Sequence, residues 1–335
     1  MELVPCPIAG DRDFAPWVEA PDRFNLSGPS WSIVRSNSSG LVMLNPRPRD
    51  GEAAEHYPHR SYDPFVHEGN ARSARDRAYL LTSSLLLGLR ASIVMNGLRK
   101  PAGSVHILES GCSTGRLLMR MHRNYGIPVQ NLCGIEPDRE SSDAARASGL
   151  PRIYGADPGQ GVFGCRFDRI VFWHSLEHIH RIEQALASAH DLLEPDGMLV
   201  IALPNIGSLD SRRYGKGWVA LDAPRHLYHF TPDSLGRLLS KHGFSVADVR
   251  AYAPDALYNA WYSEKLVSEI SGRCFGLPGA VRATLQAAMS VFAGIDPSKA
   301  SGIVCRALRS GQEPGISAGI LPSDFSISAE ATRKS

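Results

Sequence analysis

Glu109, Gly111, Cys112, Ser113 and Gly115 stand in one short run, Val105-His-Ile-Leu-Glu-Ser-Gly-Cys-Ser-Thr-Gly115. The run reads as a strand, a turn of small residues, and a helix that opens at Arg116. Small residues let the backbone approach a ligand closely, and a helix N-terminus presents free N–H groups to it. A dinucleotide loop would carry G-x-G-x-x-G. Here the glycines are Gly111 and Gly115 only, and the acid Glu109 lies within the strand end. A second apolar run, Leu132-Cys-Gly-Ile-Glu136-Pro-Asp, ends in an acid about 20 residues or slightly more beyond the loop, where a ribose-binding carboxylate falls. One carboxylate can accept from both ribose hydroxyls. The bland reading, an acid that caps the next helix, suits Asp138 better than Glu136.

A second group with chemistry in it is made of histidines. His174 directly follows Ile170–Trp173, and His178 closes Leu176-Glu177-His178. His226 and His229 lie in Trp218-Val-Ala-Leu-Asp-Ala-Pro-Arg225-His226-Leu-Tyr-His229-Phe. Imidazole is the side chain suited to taking a proton at neutral pH. In an open α/β sheet the loops at the carboxyl ends of the strands build the site. The 214–230 segment, with Trp218 and Tyr228 as apolar walls, therefore reads as a lid over an acceptor pocket.

The elements that must position these residues are legible in the pattern. Val105–Leu108, Leu132–Ile135, Ile153–Tyr154, Ile170–Trp173 and Met198–Leu203 are strand candidates. Gly115–Asn124, Arg139–Ala147 and Glu183–Leu193 are the helices between them, which implies βαβ units and a mostly parallel sheet. Residues 70–99 are helical by the spacing of Ala78, Leu81, Leu85, Leu89 and Val94. Thr231-Pro232 opens a helix to Lys241 that Gly243 ends, before a strand Phe244–Val249. Residues 254–297 form a helical insert ahead of a last strand, Ile303–Leu308. Within the insert Tyr258, Trp261, Tyr262, Leu266 and Ile270 make an apolar stripe. The stripe reads as core, with a homodimer or membrane-surface contact as the sharper alternative. The tail from Gly311, rich in Ser, Gly and Ala, is expected to be disordered.

The chain has 335 residues, 43% hydrophobic and 21% charged, an ordinary globular composition of about two domains. A formal net charge of +2 offers no global field for a polyanion, so no nucleic-acid partner is expected. No apolar stretch reaches the ~20 residues that span a bilayer. No N-terminal apolar segment suggests secretion, and the six cysteines form no CxxC pair, so a reducing cytoplasm is the expected location.

Glu109-x-Gly111-x-Ser113-x-Gly115 resembles the first motif of class I S-adenosylmethionine-dependent methyltransferases, (D/E)-x-G-x-G-x-G, with Ser113 at the middle glycine. Phe167-Asp168…Leu176-Glu177-His178 and Leu192-Leu-Glu-Pro-Asp-Gly197…Leu203-Pro-Asn205 are similar to later motifs of the ubiquinone-biosynthesis-type and sugar C-methyltransferase group. The resemblance covers about residues 70–253. It implies a Rossmann-like seven-stranded sheet with helices on both faces and one antiparallel edge strand, here Ile303–Leu308, and S-adenosyl-L-methionine as cofactor. It places that cofactor on Glu109, Gly111, Cys112, Ser113, Gly115, Glu136 and His174, with Asp157 near its adenine. Asp157-Pro-Gly is equally a turn. The implied activity is methyl transfer to oxygen or carbon of a small quinone, phenol, sugar or natural-product scaffold. His226 would be the base or position the acceptor, with His174 beside it, and His178 would cap a helix near the cofactor. Where relatives carry a Glu-His pair this chain reads Arg225-His226.

Members of the group begin with a zinc ribbon. Its outline is present in Cys6-Pro-Ile-Ala9-Gly and Ser36-Asn-Ser-Ser39-Gly40-Leu-Val, but Ala9, Ser36 and Ser39 stand at three ligand positions. No metal is expected there, because serine hydroxyls do not replace thiolates on Zn²⁺. Tyr57 and Tyr62 could reach the acceptor if this module folds over it. The expected organisation is a degenerate ribbon at 1–68, the cofactor-binding core at 69–253, the insert at 254–297, the last strand at 298–310 and the tail at 311–335. A non-catalytic cofactor-binding scaffold is the alternative. An NAD-dependent oxidoreductase is disfavoured by the missing third glycine.

Overall fold

The computed structural model describes residues 1–57, 74–155 and 160–311, with side chains outside the description at 74–83, 85, 160 and 161. Asp157, Tyr62 and the tail beyond Gly311 fall outside the described residues.

The core is a seven-stranded sheet. Its parallel strands are β4 (Ile107–Ser110), β5 (Leu132–Ile135), β6 (Arg152–Tyr154), β7 (Phe167–Trp173) and β8 (Leu193–Pro204). The order β10-β11-β8-β7-β4-β5-β6 puts β4, which feeds the glycine loop, between β7 and β5. All seven residues of β7 are buried, as expected of a central strand covered on both faces. The Rossmann-like expectation is borne out. Local chemistry ends the elements where it should. Asp138 caps α3 (Arg139–Ala147) by accepting from Ser141 N at 2.8 Å. Thr231 and Ser234 form a capping box at the start of α7 (Pro232–Lys241), with Pro232 in its first turn.

One expectation is corrected. Ile303–Leu308 lies in β11 (Gly302–Arg309), which is antiparallel but not at the edge. It inserts between β8 and β10 (Phe244–Ala251). Seven of its eight residues are buried, whereas β10 is mostly half-exposed and forms the true edge. The near-continuous run Ile303-Val-Cys-Arg-Ala-Leu308 is the pattern of an interior strand.

A second sheet of β1 (Phe14–Ala20), β2 (Trp31–Ser36), β3 (Val42–Leu44) and β9 (Tyr228–His229) is antiparallel. Its last strand comes from the lid segment, pairing Val42 with His229 and Met43 with Tyr228. Tyr228 is therefore a seam between the N-terminal module and the core, and its hydroxyl accepts from Arg47 Nη1 at 2.8 Å. Trp218 is buried in the core. Neither is an open pocket wall.

In the insert, α8 (Pro254–Ile270) buries mostly small and polar residues, Ala256, Asn259, Ala260, Ser263 and Glu264 among them. Of the expected stripe only Leu266 is fully buried, and Trp261 stacks edge-on against Phe275. The exposed apolar residues gather instead on α9 (Gly276–Ala293), including Leu277, Leu285 and Phe292. Among the described residues no helix is long and apolar enough to cross a membrane.

Asn205 at the exit of β8 is fully buried. Its Nδ2 donates to the carbonyls of Ser298 and Ala300 at 2.9 Å, and its Oδ1 accepts from Gly207 N at 2.9 Å. Asn205→Ala leaves these groups unpaired and should lower stability by about 2–4 kcal/mol, each buried orphan costing roughly 1–3. Chemical denaturation would measure it, and a loss below about 0.5 kcal/mol would refute the role.

Candidate active site

The glycine loop is built by close approach. Gly111 has φ 77°, and a Cβ there would lie 2.5 Å from Cβ of Ser175. Ser175 Oγ donates to Ser110 O at 2.6 Å, so the turn after β7 is clamped against the loop after β4. Gly115 has φ 70°, and a Cβ would meet Leu150 at 2.4 Å. Ser113 adopts φ 48° with a side chain, a backbone region that favours glycine. The middle position of the motif therefore keeps a glycine conformation after losing its glycine.

The acids close on this loop. Glu136 Oε2 accepts from Ser113 N and its Oε1 from Asp138 N, both at 2.8 Å. Burial raises its pKa, and those two N–H groups oppose the rise. Glu109 is 4% exposed and its Oε2 has no hydrogen-bond partner. Burial pushes it up to about 8, with Arg90 opposing and Glu136 assisting. The Cys112 side chain turns away from the loop's open face. Its Sγ lies inside the sheet at the place a Gly134 side chain would take, and burial raises the thiol well above its ordinary range. Only its backbone remains available to a ligand.

The histidines gather at the next strand ends. His174 has φ 50°, its Nε2 lies 3.3 Å from Asp255 Oδ2 and its Nδ1 lies 3.6 Å from Glu177 Oε1. Burial lowers its pKa, but Asp255 and Glu177 outweigh that and push it up to about 10. Glu177 is 1% exposed. Burial acts to raise it, but His174 and the charges of His226 and His178 bring it to about 2. His178 and His226 stack edge-on with centroids 4.6 Å apart. His178 caps no helix. Its Nδ1 lies 3.0 Å from both Arg225 O and Tyr57 Oη. His226 Nδ1 lies 2.8 Å from Ala220 O. A carbonyl only accepts, so Nδ1 of His226 carries a proton, and its Nε2 lies 3.8 Å from Asp222 Oδ2.

Arg225 enters a buried ion cluster. It donates to Asp22 Oδ1 and Asp222 Oδ1 at 2.7 Å and to His56 O at 2.9 Å. Arg23 Nε donates to Asp222 Oδ1 at 2.7 Å. Asp22, Arg23 and Asp255 were missed in the sequence because they lie far from every motif and meet the site only in the fold. Tyr57 does reach the histidine cluster.

Comparison with known families settles the broader class. A model described as a methyltransferase domain matches residues 73–249, more than half of the chain. The chain belongs to this family. It carries a methyltransferase domain, and the family implies S-adenosylmethionine as cofactor. The methyltransferase is 31% identical over 125 residues to carboxy-S-adenosyl-L-methionine synthase of Wolinella succinogenes, covering 36% of this chain and 51% of that protein. It is 26% identical over 174 residues to ubiquinone biosynthesis O-methyltransferase of Chelativorans sp., covering 48% of this chain and 67% of that one. The chain thus spans about half the length of the first relative. Among solved structures, the cyclopropane synthase MmaA2 of Mycobacterium tuberculosis aligns at 17% identity and TM-score 0.46, over 78% of this chain and 98% of that one. Magnesium protoporphyrin IX methyltransferase of Synechocystis aligns at 12% and 0.47, over 78% and 98%. The residues present fit the donor: Glu109, buried in the strand that feeds the glycine loop, keeps an unpartnered carboxylate oxygen.

Ser113→Gly in this methyltransferase should relieve about 1 kcal/mol of backbone strain, less roughly 0.5 for the freer unfolded chain. The melting temperature should rise by about 1–2 °C. Gly111→Ala should lower stability by more than about 2 kcal/mol, since Ser175 cannot retreat without opening the clamp. Thermal unfolding of both variants checks the pair, and a fall for Ser113→Gly would remove the strain argument.

Proposed function

We propose that this methyltransferase transfers a methyl group to an oxygen or carbon nucleophile of a small-molecule acceptor, of the quinone, phenol, sugar or natural-product kind. The observation that carries the reading is His226. Its Nδ1–H is spent on the Ala220 carbonyl, which leaves Nε2, 3.8 Å from Asp222 Oδ2, as the nitrogen that exchanges a proton in an enclosed site. That site adjoins the turn clamped to the glycine loop.

Bound S-adenosylmethionine supplies an electrophilic methyl on a sulfonium. Gly111, Gly115 and the backbone of Cys112 and Ser113 form the cradle for it. Glu136 takes the ribose hydroxyls while holding Ser113 N, and Glu109 faces the cationic part of the cofactor. His226 Nε2 takes the acceptor's proton or orients the acceptor for in-line attack. Already protonated at neutral pH, His174 is not the base. It positions Glu177 and ties α8 across the site through Asp255. Arg225 holds the lid shut against the N-terminal module, in the place of a glutamate that would otherwise polarise the histidine.

We read the N-terminal module as a ribbon that folds without its metal. Cys6 Sγ lies 3.1 Å from Ser39 Oγ, and Ser36 Oγ accepts from Ser39 N at 3.1 Å, so hydrogen bonds join the positions that thiolates would share. All six cysteines are free, in keeping with a reducing compartment. Strain at Ser113 favours one second reading, a cofactor-binding scaffold without turnover.

Calorimetry should show S-adenosylmethionine and S-adenosylhomocysteine binding and NADH not binding, with Glu136→Ala weakening both by about 10–100-fold, or roughly 1.4–2.8 kcal/mol. NADH binding alone would overturn the reading. Against an acceptor found by screening, His226→Gln should keep cofactor affinity and lose about 10²–10⁴-fold in kcat. Full turnover in that variant would remove His226 from the mechanism.

A further inference from the structure

We infer that Glu177, His178 and His226 form a binding site for one divalent transition-metal ion. One nitrogen of each imidazole and one oxygen of Glu177 lie within 4.8 Å of one another. Donors around a tetrahedral ion at ~2.1 Å stand roughly 3.4 Å apart, so closure needs about an ångström of side-chain movement.

The hydrogen bonding prepares the donors. Both Nδ1 atoms face backbone carbonyls, Arg225 O at 3.0 Å and Ala220 O at 2.8 Å. A backbone carbonyl on one ring nitrogen is the outer arrangement metal-bound histidines use, and it leaves Nε2 of His226, with Asp222 Oδ2 3.8 Å away, as that ring's donor atom. Glu177 is 1% exposed, and neither of its oxygens has a hydrogen-bond partner. His174 Nδ1 lies 3.6 Å from Oε1, at ion-pair range and without a hydrogen bond. A buried carboxylate in that condition lacks a donor or cation of its own. Two imidazoles and one carboxylate suit Zn²⁺, Co²⁺ or Fe²⁺ better than Mg²⁺ or Ca²⁺, which prefer oxygen ligands.

Three protein donors leave a position open on a tetrahedral ion for an exchangeable oxygen ligand. In the loaded protein His226 would then act on an acceptor through the ion and not by taking its proton. The site itself rests on donor geometry, and its test needs neither cofactor nor acceptor.

The full chain, free of any tag and stripped with chelator, is titrated with Zn²⁺ by calorimetry and with Co²⁺ by visible absorption. The expected result is one saturable equivalent, with a Co²⁺ d–d band of a four- or five-coordinate site. Glu177→Gln and His226→Gln should each weaken binding at least about 10-fold while circular dichroism stays unchanged. If Glu177→Gln fails to fold, His226→Gln and His178→Gln carry the test. No saturable equivalent, equal binding in the folded variants, or loss only in Cys6→Ser (which would place the ion in the N-terminal module) would each overturn the inference.

Discussion

Asp222 holds the two halves of this methyltransferase together. It is buried at the centre of the lid segment and takes hydrogen bonds from Arg225 beside it and Arg23 across the seam. Burial would raise its pKa, but the two guanidinium groups hold it well below the usual carboxylate range. Such a cluster adds little over well-packed apolar residues, yet removing one member strands a buried charge at a cost of about 3–5 kcal/mol. The cluster therefore acts as a latch. While it holds, β9 pairs with β3, Tyr57 meets His178, and the carbonyls of Ala220 and Arg225 aim two imidazoles at Glu177. Every distance in the histidine cluster depends on where that latch places the lid.

A second constraint works at the other end of the site. β4 and β7 run parallel and adjacent, so their exits must turn past each other with almost no room. Gly111 and Ser175 meet there, and the small residues are the consequence. Ser113 shows what the loop tolerates: its conformation is set by Glu136 pulling on its N–H, and the strain is borne because the carboxylate contact is made. Position matters more than residue type in this loop, which explains how a serine can occupy a glycine place without collapse of the turn.

The parallel strands and their helices were legible because hydrophobic period and turn chemistry are local signals. Glu109, Gly111 and Glu136 could be named for the same reason, since the motif and its spacing lie along the chain. Other residues defied local reading. Cys112 sits in the motif, but its side chain turns into the sheet, a choice made by the space above Gly134. β11 was misplaced at the edge because strand order is a matter of which neighbours it pairs with. Its unbroken apolar run was the available clue.

The sequence by itself determined the class of fold, the glycine loop after β4, and the presence of histidines in the segments after β7 and β8. Only the tertiary structure decided which histidines face which partners. His174 is charged because Asp255 arrives from α8, some 80 positions away along the chain, and His226 is oriented because Ala220 turns back beneath it. A local pattern records what a residue is and which face of its element it takes. Charge state, tautomer and aim are set by contacts between elements, and those exist only when the chain has closed on itself.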